Sequence, residues 1–468
     1  MPVEPSMNVH ASGRAIFAAG TGLLCLAAAA LRAAPAAAAG AEPVLHFISD
    51  LHIGGDGALN ECAFEKELVG FLQGIAAGPL PAELVIVGDA FGLWETTEIE
   101  GDRKLPWLVA THPAIFRQFR ETGERVKITL LAGNHDYDLA CVPSYRDLLA
   151  AHNIRLDTAE HAVRRIGKKT IWIEHGNQHD PFNRFPDYGN RWGLPAGYFI
   201  TASTVAVAGR SALQARSRWL KDLPAVYPSE EIPSWIWSNY FYQEMTPILR
   251  WFLLPFLLLF IFSAVVLAGR WIEEHGLLRT RLFRRSLRER FGFPGRVIDL
   301  VVWVNGIAIA FFVVLSVPLF FLTRDIRGTL QKYGIETTEG LRNAKEDSYL
   351  AAARRVFADD PSCALFIYGH THTPSLRMLD GRCVVNTGTW LKRLERVGAR
   401  RILMLPPVYV PSYHLNCFTA EPRGDGILLR HRVIRKDPPR DLTLLEKLAI
   451  LGRPRPSAPA IPAETVLE

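Results

Sequence analysis

The sequence predicts an α/β layered domain interrupted by two long apolar helices, and three observations carry that prediction. Five short apolar runs rich in β-branched residues each end in a loop motif bearing Asp, Asn or His. Stretches of helical character separate the first of them, the alternation expected of a layered α/β fold. Two runs without any charged side chain, Trp251–Gly269 and Leu300–Leu322, then lie between the fourth motif and the fifth.

With 468 residues, 49% hydrophobic and 21% charged, the chain has material for one large core or two moderate ones and is not a disordered or fibrous polypeptide. Its net charge of +6 is unevenly spread. Arg270, Arg279, Arg281, Arg284, Arg285, Arg288, Arg290 and Arg296 crowd the linker between the two apolar runs. That placement points to a lipid bilayer as partner and not to nucleic acid. Beyond Cys25, the cysteines are Cys62, Cys141, Cys363, Cys383 and Cys417, an odd set without regular spacing, so no disulfide framework is expected.

Residues 1–41 read as a signal-like leader: Arg14, an apolar stretch from Ala15 to Leu31, and the small-residue tract Ala36–Ala41. An uncleaved Ala-rich anchor is the alternative. Residues 42–176 hold the first four motifs, on predicted strands that alternate with helical stretches at Glu61–Ala77 and Pro113–Thr122. Val44–Ser49 runs into Asp50, Leu84–Val87 precedes Gly88-Asp89, Ile128–Leu131 precedes Gly133-Asn134-His135-Asp136, and Thr170–Ile173 precedes Glu174-His175-Gly176.

Residues 177–362 break this rhythm and are expected to form an insertion. It holds the aromatic-rich Pro181–Trp192, a predicted helix around Thr201–Leu220, and the apolar runs near 251–269 and 300–322. Each run reaches the roughly 20 residues that cross a bilayer. Two buried core helices, the other reading, would carry polar faces and shorter apolar stretches. Trp235, Trp237, Tyr240 and Tyr242, just before the first run, are expected in an interfacial belt. Residues 363–440 resume the domain with Ala364–Tyr368 before Gly369-His370-Thr371-His372, and with strand-like Cys383–Trp390 and Arg401–Leu405. Residues 441–468, Pro- and Ala-rich from Pro454, are expected to be a disordered tail.

Strand-end loops are where such folds present polar ligands, rigid behind and open in front. Two divalent ions held close together need a shared carboxylate, neutral imidazoles and further oxygen donors converging from different loops. The motifs supply that set. Asp50-Leu51-His52 puts a carboxylate and an imidazole two residues apart, Asp89 follows a Gly that permits a sharp turn, Asn134 offers a neutral amide oxygen, and His175, His370 and His372 complete two shells. His179 and Arg184, Arg191 and Arg210 are further candidates for contact with an anion, although a solvated loop histidine and exposed surface charges explain them as well.

In this order the five motifs resemble the calcineurin-like metallophosphoesterase superfamily, over roughly Val44–His175 and Ala364–Trp390. The resemblance implies a layered metallophosphoesterase β-sandwich flanked by helices, with the pair of transmembrane helices as an insert. It implies two divalent metal ions (Mn, Fe or Zn): Asp50, His52 and His372 on the first, Asn134, His175 and His370 on the second, and Asp89 bridging them. His135 matches the position that contacts the phosphate and protonates the leaving oxygen, and Asp136 the carboxylate that orients it. Asn386-Thr387-Gly388-Thr389 resembles the segment that closes the fold behind the site.

Within the superfamily, Gly88-Asp89-Ala90-Phe91-Gly92-Leu93-Trp94 and the insertion after His175-Gly176 resemble the UDP-2,3-diacylglucosamine hydrolases, which generally carry Arg where His135 stands and lack the spans.

The expected activity is therefore metal-dependent hydrolysis of a phosphoester or pyrophosphate bond in a phosphorylated substrate that could be lipid-linked, by in-line attack without a covalent enzyme intermediate. A membrane-anchored interaction module with an inactive phosphoesterase fold is the alternative. The Arg-rich linker is expected on the cytoplasmic side by the positive-inside rule. That puts the catalytic domain on the non-cytoplasmic side of a bacterial inner membrane; a cytosolic-facing hydrolase would require the opposite topology.

Overall fold

The computed structural model describes residues 42–203, 205, 218–227, 231–277, 283, 287–332, 338–399, 405–437, 442–453 and 460–468. The signal-like leader, Arg210, most of the helix expected around Thr201–Leu220, the linker residues Arg279, Arg281, Arg284 and Arg285, and the start of the strand expected at Arg401–Leu405 lie outside the described residues.

Each of the five apolar runs is a strand. In chain order the strands are β1 Val44–Ile48, β2 Ala82–Val87, β3 Lys127–Leu131, β4 Ile154–Asp157, β5 His161–Ile166, β6 Lys169–Glu174, β7 Val226–Tyr227, β8 Cys363–Tyr368, β9 Ser375–Leu379, β10 Arg382–Asn386, β11 Lys392–Val397, β12 Val408–Tyr413, β13 Leu415–Arg423, β14 Gly426–Ile434 and β15 Glu464–Leu467. They form a seven-stranded sheet in the order β15-β14-β13-β1-β2-β3-β4, a five-stranded sheet β5-β6-β8-β10-β9, and a three-stranded sheet β12-β11-β7.

β1, β2, β3 and β4 run parallel, as do β6, β8 and β10, so the motif-bearing ends of β1–β3 and of β6 and β8 each gather at one edge of their sheet. Strands buried on both faces read as continuous apolar runs, and β2 and β8 are buried at every position.

The two larger sheets pack face to face. Leu45, Phe47, Val85, Val87 and Leu131 of the first meet Ile171, Ile173, Leu365, Ile367 and Val385 of the second in one buried cluster. Helices cover the outer faces. Glu65–Ala76, Lys104–Thr111, Pro113–Gly123 and Pro143–Ala150 lay Leu68, Leu72, Leu108, Ile115, Phe119 and Leu149 on the first sheet, and Thr338–Asp359 lays Tyr349, Ala352, Ala353 and Phe357 on the second.

One polar clamp joins the sheets. The Glu83 carboxylate on β2 accepts from Thr129 Oγ1 at 2.7 Å and from Arg164 Nη2 of β5 at 2.8 Å. Burial alone would raise its pKa, but the Arg164 and Thr129 hydrogen bonds and the Arg164 and Lys127 charges outweigh it and lower it from 4.5. A depressed carboxylate contributes stability above its unfolded pKa and loses it as pH falls below about 4.5. Glu83→Gln is expected to cost about 2 kcal/mol at pH 7. The gap in melting temperature from the wild type should close below pH 4.5, and a gap independent of pH would show that the carboxylate charge plays no part.

Three expectations are corrected. The tail is not wholly disordered: β15 pairs antiparallel with β14 and buries Leu467 in the inter-sheet core, while Leu444–Ala449 is a helix with a Thr443–Glu446 capping box. Pro and Ala content cannot register a strand whose partner lies some thirty residues upstream. Parts of the insertion belong to the domain: β7 pairs with β11, and helix Thr338–Asp359 is core. Trp235 and Tyr242 are buried, the latter donating to Pro406 O at 2.8 Å, so only the half-exposed Trp237 and Tyr240 suit an interface.

Helices Pro247–Glu274 and Phe293–Lys332 contain the two apolar runs. They are long and apolar enough to cross a membrane, with mean hydropathy of 2.6 and 2.5 and only 12% and 11% of their most apolar windows buried. Two polar contacts join them. Asn305 Nδ2 donates to Ser263 Oγ at 2.9 Å where both are buried, and Arg270 pairs with Asp299 at 2.8 Å. Polar glue of this kind suits helices whose outer faces carry no polar partner.

Candidate metal centre

Every motif sits one to three residues beyond a strand, at the edge where the parallel strands of the two large sheets end. The chain makes abrupt turns there. Asp50, His52, Asp89, His370 and His372 all have positive φ, at 53°, 44°, 51°, 65° and 58°; among the described residues only Asn153 and Asp380 share this among non-glycines. Left-handed backbone costs a side-chain-bearing residue roughly 1–3 kcal/mol and persists where the surroundings enforce it. Five such residues converging on one spot mark a constructed site.

Two glycines are required by the same crowding. A Cβ on Gly88, itself at φ +80°, would sit on the His175 ring, and one on Gly133 would collide with the Asp89 carboxylate.

The side chains fall into two groups that share Asp89. Donor atoms of Asp50, His52, Asp89 and His372 lie within 4.8 Å of one another, as do those of Asp89, His175 and His370. Asn134 joins the second group, its Oδ1 standing 3.1 Å from His175 Nε2 and 2.9 Å from His370 Nδ1. Asp89 Oδ2 is 3.1 Å from His175 Nε2 and 3.6 Å from His52 Nε2, yet it is buried without a hydrogen bond. His52 Nε2 faces His372 Nε2 at 3.1 Å, an approach of two ring nitrogens that a shared cation explains better than a proton.

Outer partners aim these rings. His175 Nδ1 donates to Val87 O at 2.9 Å, leaving Nε2 toward Asp89. His370 Nε2 meets Asp180 Oδ2 at 3.2 Å, leaving Nδ1 toward Asn134. Metal-binding histidines typically have the second ring nitrogen held in this way. Ser49 hydrogen-bonds Asp50 and also Thr387 Oγ1 at 2.6 Å, while Thr389 Oγ1 donates to Asp50 O at 2.7 Å. Asn386 Nδ2 donates to Gly369 O at 2.8 Å. The Asn386–Thr389 segment thus laces the Asp50 loop to the Gly369-His370 loop.

The charges fit cations. For Asp89, burial pushes the pKa up, but the charges of His175, His135 and His52 outweigh it and hold the carboxyl well below its usual range. Burial alone would lower His175 and His52, yet Asp89 and Asp50, with Glu95 on His52, raise them to about 10 and about 9. Buried carboxylates that draw protons on to two imidazoles form a pocket of negative charge, and the Asp, Asn and His donors suit a divalent ion. The residues present therefore fit a metal centre with Asp89 between its two halves.

His135 lies beside the Asp89 group, its backbone N–H donating to Asp89 Oδ1 at 2.8 Å, but the carboxylate expected to orient it does not reach it. Asp136 turns away from the ring and accepts backbone N–H bonds from Gly133 at 2.6 Å, Ala90 at 2.8 Å and Phe91 at 3.2 Å. Burial, and then the Asp89 charge, push its carboxyl up. The adjacency of His135 and Asp136 in sequence suggested a pair, but the turn at Gly133 points their side chains apart. Glu95 lies beside both rings instead: its Oε1 hydrogen-bonds His52 Nδ1 at 3.2 Å and stands 2.7 Å from His135 Nδ1, a charge-pair contact without hydrogen-bond alignment.

Glu95 and Asp180 were not legible as site residues. Glu95 lies in a loop six residues beyond Asp89, and its one signal is a carboxylate directly after the apolar run Ala90–Trp94. Glu95→Gln is expected to lower both turnover and metal affinity by roughly 10–100-fold, read by kcat alongside a metal titration. Unchanged values of both would make Glu95 a bystander.

Among the remaining candidates, His179 Nε2 lies 2.6 Å from Glu174 Oε1, so it is a paired and not a freely solvated histidine. Arg191 is engaged by Asp102 at 2.7 Å and Asp138 at 3.4 Å, and Arg184 is exposed. Trp94 packs against His135 with ring centroids 4.5 Å apart, and Phe185 and Tyr198 from the 177–203 segment pack on Trp94.

No family model matches the chain, and no curated protein matches it. Among solved structures it is similar to a conserved uncharacterized protein, a predicted phosphoesterase, from Streptococcus pneumoniae, at 9% identity over 84% of this chain and 89% of that chain, with a TM-score of 0.24. A likeness that slight carries no argument about function.

Proposed function

We propose that the protein is a membrane-bound, dinuclear-metal phosphoesterase of the calcineurin-like kind, hydrolysing a phosphoester or pyrophosphate bond in a lipid-linked substrate. The observation that carries the reading is the convergence of five strained non-glycine residues around Asp89 Oδ2, a buried carboxylate oxygen without a hydrogen bond, between His52 and His175.

Asp50, His52, Asp89 and His372 would hold one ion, and Asp89, Asn134, His175 and His370 the other. Ions bound there would supply positive charge to the phosphoryl oxygens and lower the pKa of an attacking water. The remaining work belongs to the protein. Glu95 beside Nδ1 leaves His135 Nε2 free to give a proton to the leaving oxygen. Asp136 ties the Gly133–His135 turn to the segment after Asp89 by accepting the backbone N–H groups of Gly133, Ala90 and Phe91. Trp94 shields one side of the His135 ring from water.

The membrane part of the proposal is supported by the two exposed apolar helices, which leave and rejoin the chain between His175 and His370. A site tethered in this way acts at a bilayer surface, which suits a phosphorylated or pyrophosphate-linked lipid on the non-cytoplasmic side. The test is a substrate screen on detergent-solubilised, metal-reconstituted protein with lipid and nucleotide phosphates in parallel. Ready cleavage of soluble diesters with indifference to every lipid phosphate would sink the lipid assignment. Absence of metal-dependent hydrolysis from every substrate would favour a non-catalytic interaction module.

A further inference from the structure

Arg393 is a buried cation without a counter-ion among the described residues. It lies on β11, is 6% exposed, and among the described residues its one hydrogen-bonding contact is Thr373 Oγ1, 3.5 Å from Nη2. Its Nε is buried with no partner. A guanidinium withdrawn from water normally has a carboxylate or a bound anion beside it, because the desolvation of an unpaired charge is costly.

The surroundings make this a shaped place. The guanidinium lies over the Tyr227 ring, 3.7 Å from its centroid, and Tyr227 OH is held by Thr373 Oγ1 at 2.8 Å. Stacking fixes the plane of the fork and leaves its edge as the bonding side. Ser412 is directly opposite Arg393 in the β11–β12 register, and His414 follows two residues on. Ser412 Oγ and His414 Nε2 are also buried without hydrogen bonds. The carboxylate beside His414 is that of Glu395, 3.9 Å from Nε2 and beyond hydrogen-bond reach. Three unpartnered polar atoms thus cluster at one end of the small sheet, where a native interior leaves few.

The cluster adjoins the metal centre. Thr373 follows His372, whose Nε2 is 3.2 Å from Asp50 Oδ1, and β11 begins two residues after Trp390, whose N–H donates to Asp50 O at 3.3 Å.

We propose that Arg393, stacked on Tyr227 and joined by Ser412 and His414, forms an oxyanion subsite that takes a phosphate group of the substrate on the His372 side of the metal centre. The planar fork matches two oxygens of such a group, and the hydroxyl and imidazole supply further hydrogen bonds. The identity of the anion as a phosphate rests on the phosphoesterase reading; the need for an anion does not.

The test uses the full chain in detergent, stripped of metal so that only the subsite is read, and titrated with inorganic phosphate by calorimetry. The wild type should bind phosphate, Arg393→Met should bind it roughly tenfold or more weakly, and Arg393→Lys should restore part of the loss. Melting without phosphate guards against misfolding: Arg393→Met should melt no lower than the wild type, since it removes an unpaired buried charge, and phosphate should raise the wild-type melting temperature but not that of the variant.

Equal phosphate affinity in wild type and Arg393→Met, or no binding by the wild type, overturns the subsite. Metal-dependent cleavage of an aryl phosphodiester by the wild type is scored separately, so loss of the enzymatic reading and loss of the subsite give different results.

Discussion

Asp89→Ala is expected to abolish metal-dependent hydrolysis of a generic aryl phosphodiester, lowering turnover by roughly three orders of magnitude or more, the equivalent of several kcal/mol of lost charge stabilisation. Asp89 is the one residue common to both ligand groups, so its loss unmakes both halves of the centre together. The bound-metal content of the purified variant, read by elemental analysis, should fall with the activity. The carboxylate also accepts the His135 N–H at 2.8 Å, so the turn that presents His135 loses an anchor as well. Activity and metal content both equal to wild type would remove the site.

His135→Ala is expected to lower kcat by roughly 10²–10⁴-fold, the usual contribution of a positioned general acid, while leaving metal content unchanged. The separation follows from the geometry: His135 belongs to neither Asp89-containing group but leans on Glu95, which also holds His52. The deficit should be largest for substrates with poorly acidic leaving groups, which need the proton most, and should shrink for aryl diesters whose leaving phenolate departs unaided. A uniform deficit across leaving groups would reassign His135 to binding.

The two expectations have different origins in the chain. The position of Asp50, His52, Asp89, Asn134, His175, His370 and His372 in loops just beyond buried strands was readable, because a strand of continuous apolar character announces its own end. The support around them was not readable. Glu95 meets His135 across forty residues, Asp180 meets His370 across a gap that holds both apolar helices, and Ser49 meets Thr387 from the far end of the domain. Asp136 shows the converse error: it neighbours His135 in sequence, yet the tight turn at Gly133 sends its carboxylate to the backbone of Ala90 and Phe91.

Local pattern alone determined the five motif-bearing strands, the loops that follow them and the two apolar helices, because hydrophobic periodicity and turn chemistry are properties of neighbours along the chain. The tertiary structure decided which carboxylate lies beside which imidazole, that β15 and helix Thr338–Asp359 belong to the domain, and that Arg393 is buried with no carboxylate paired to it among the described residues. Those facts depend on contacts across tens or hundreds of residues, where burial and hydrogen bonding choose partners that no local window contains.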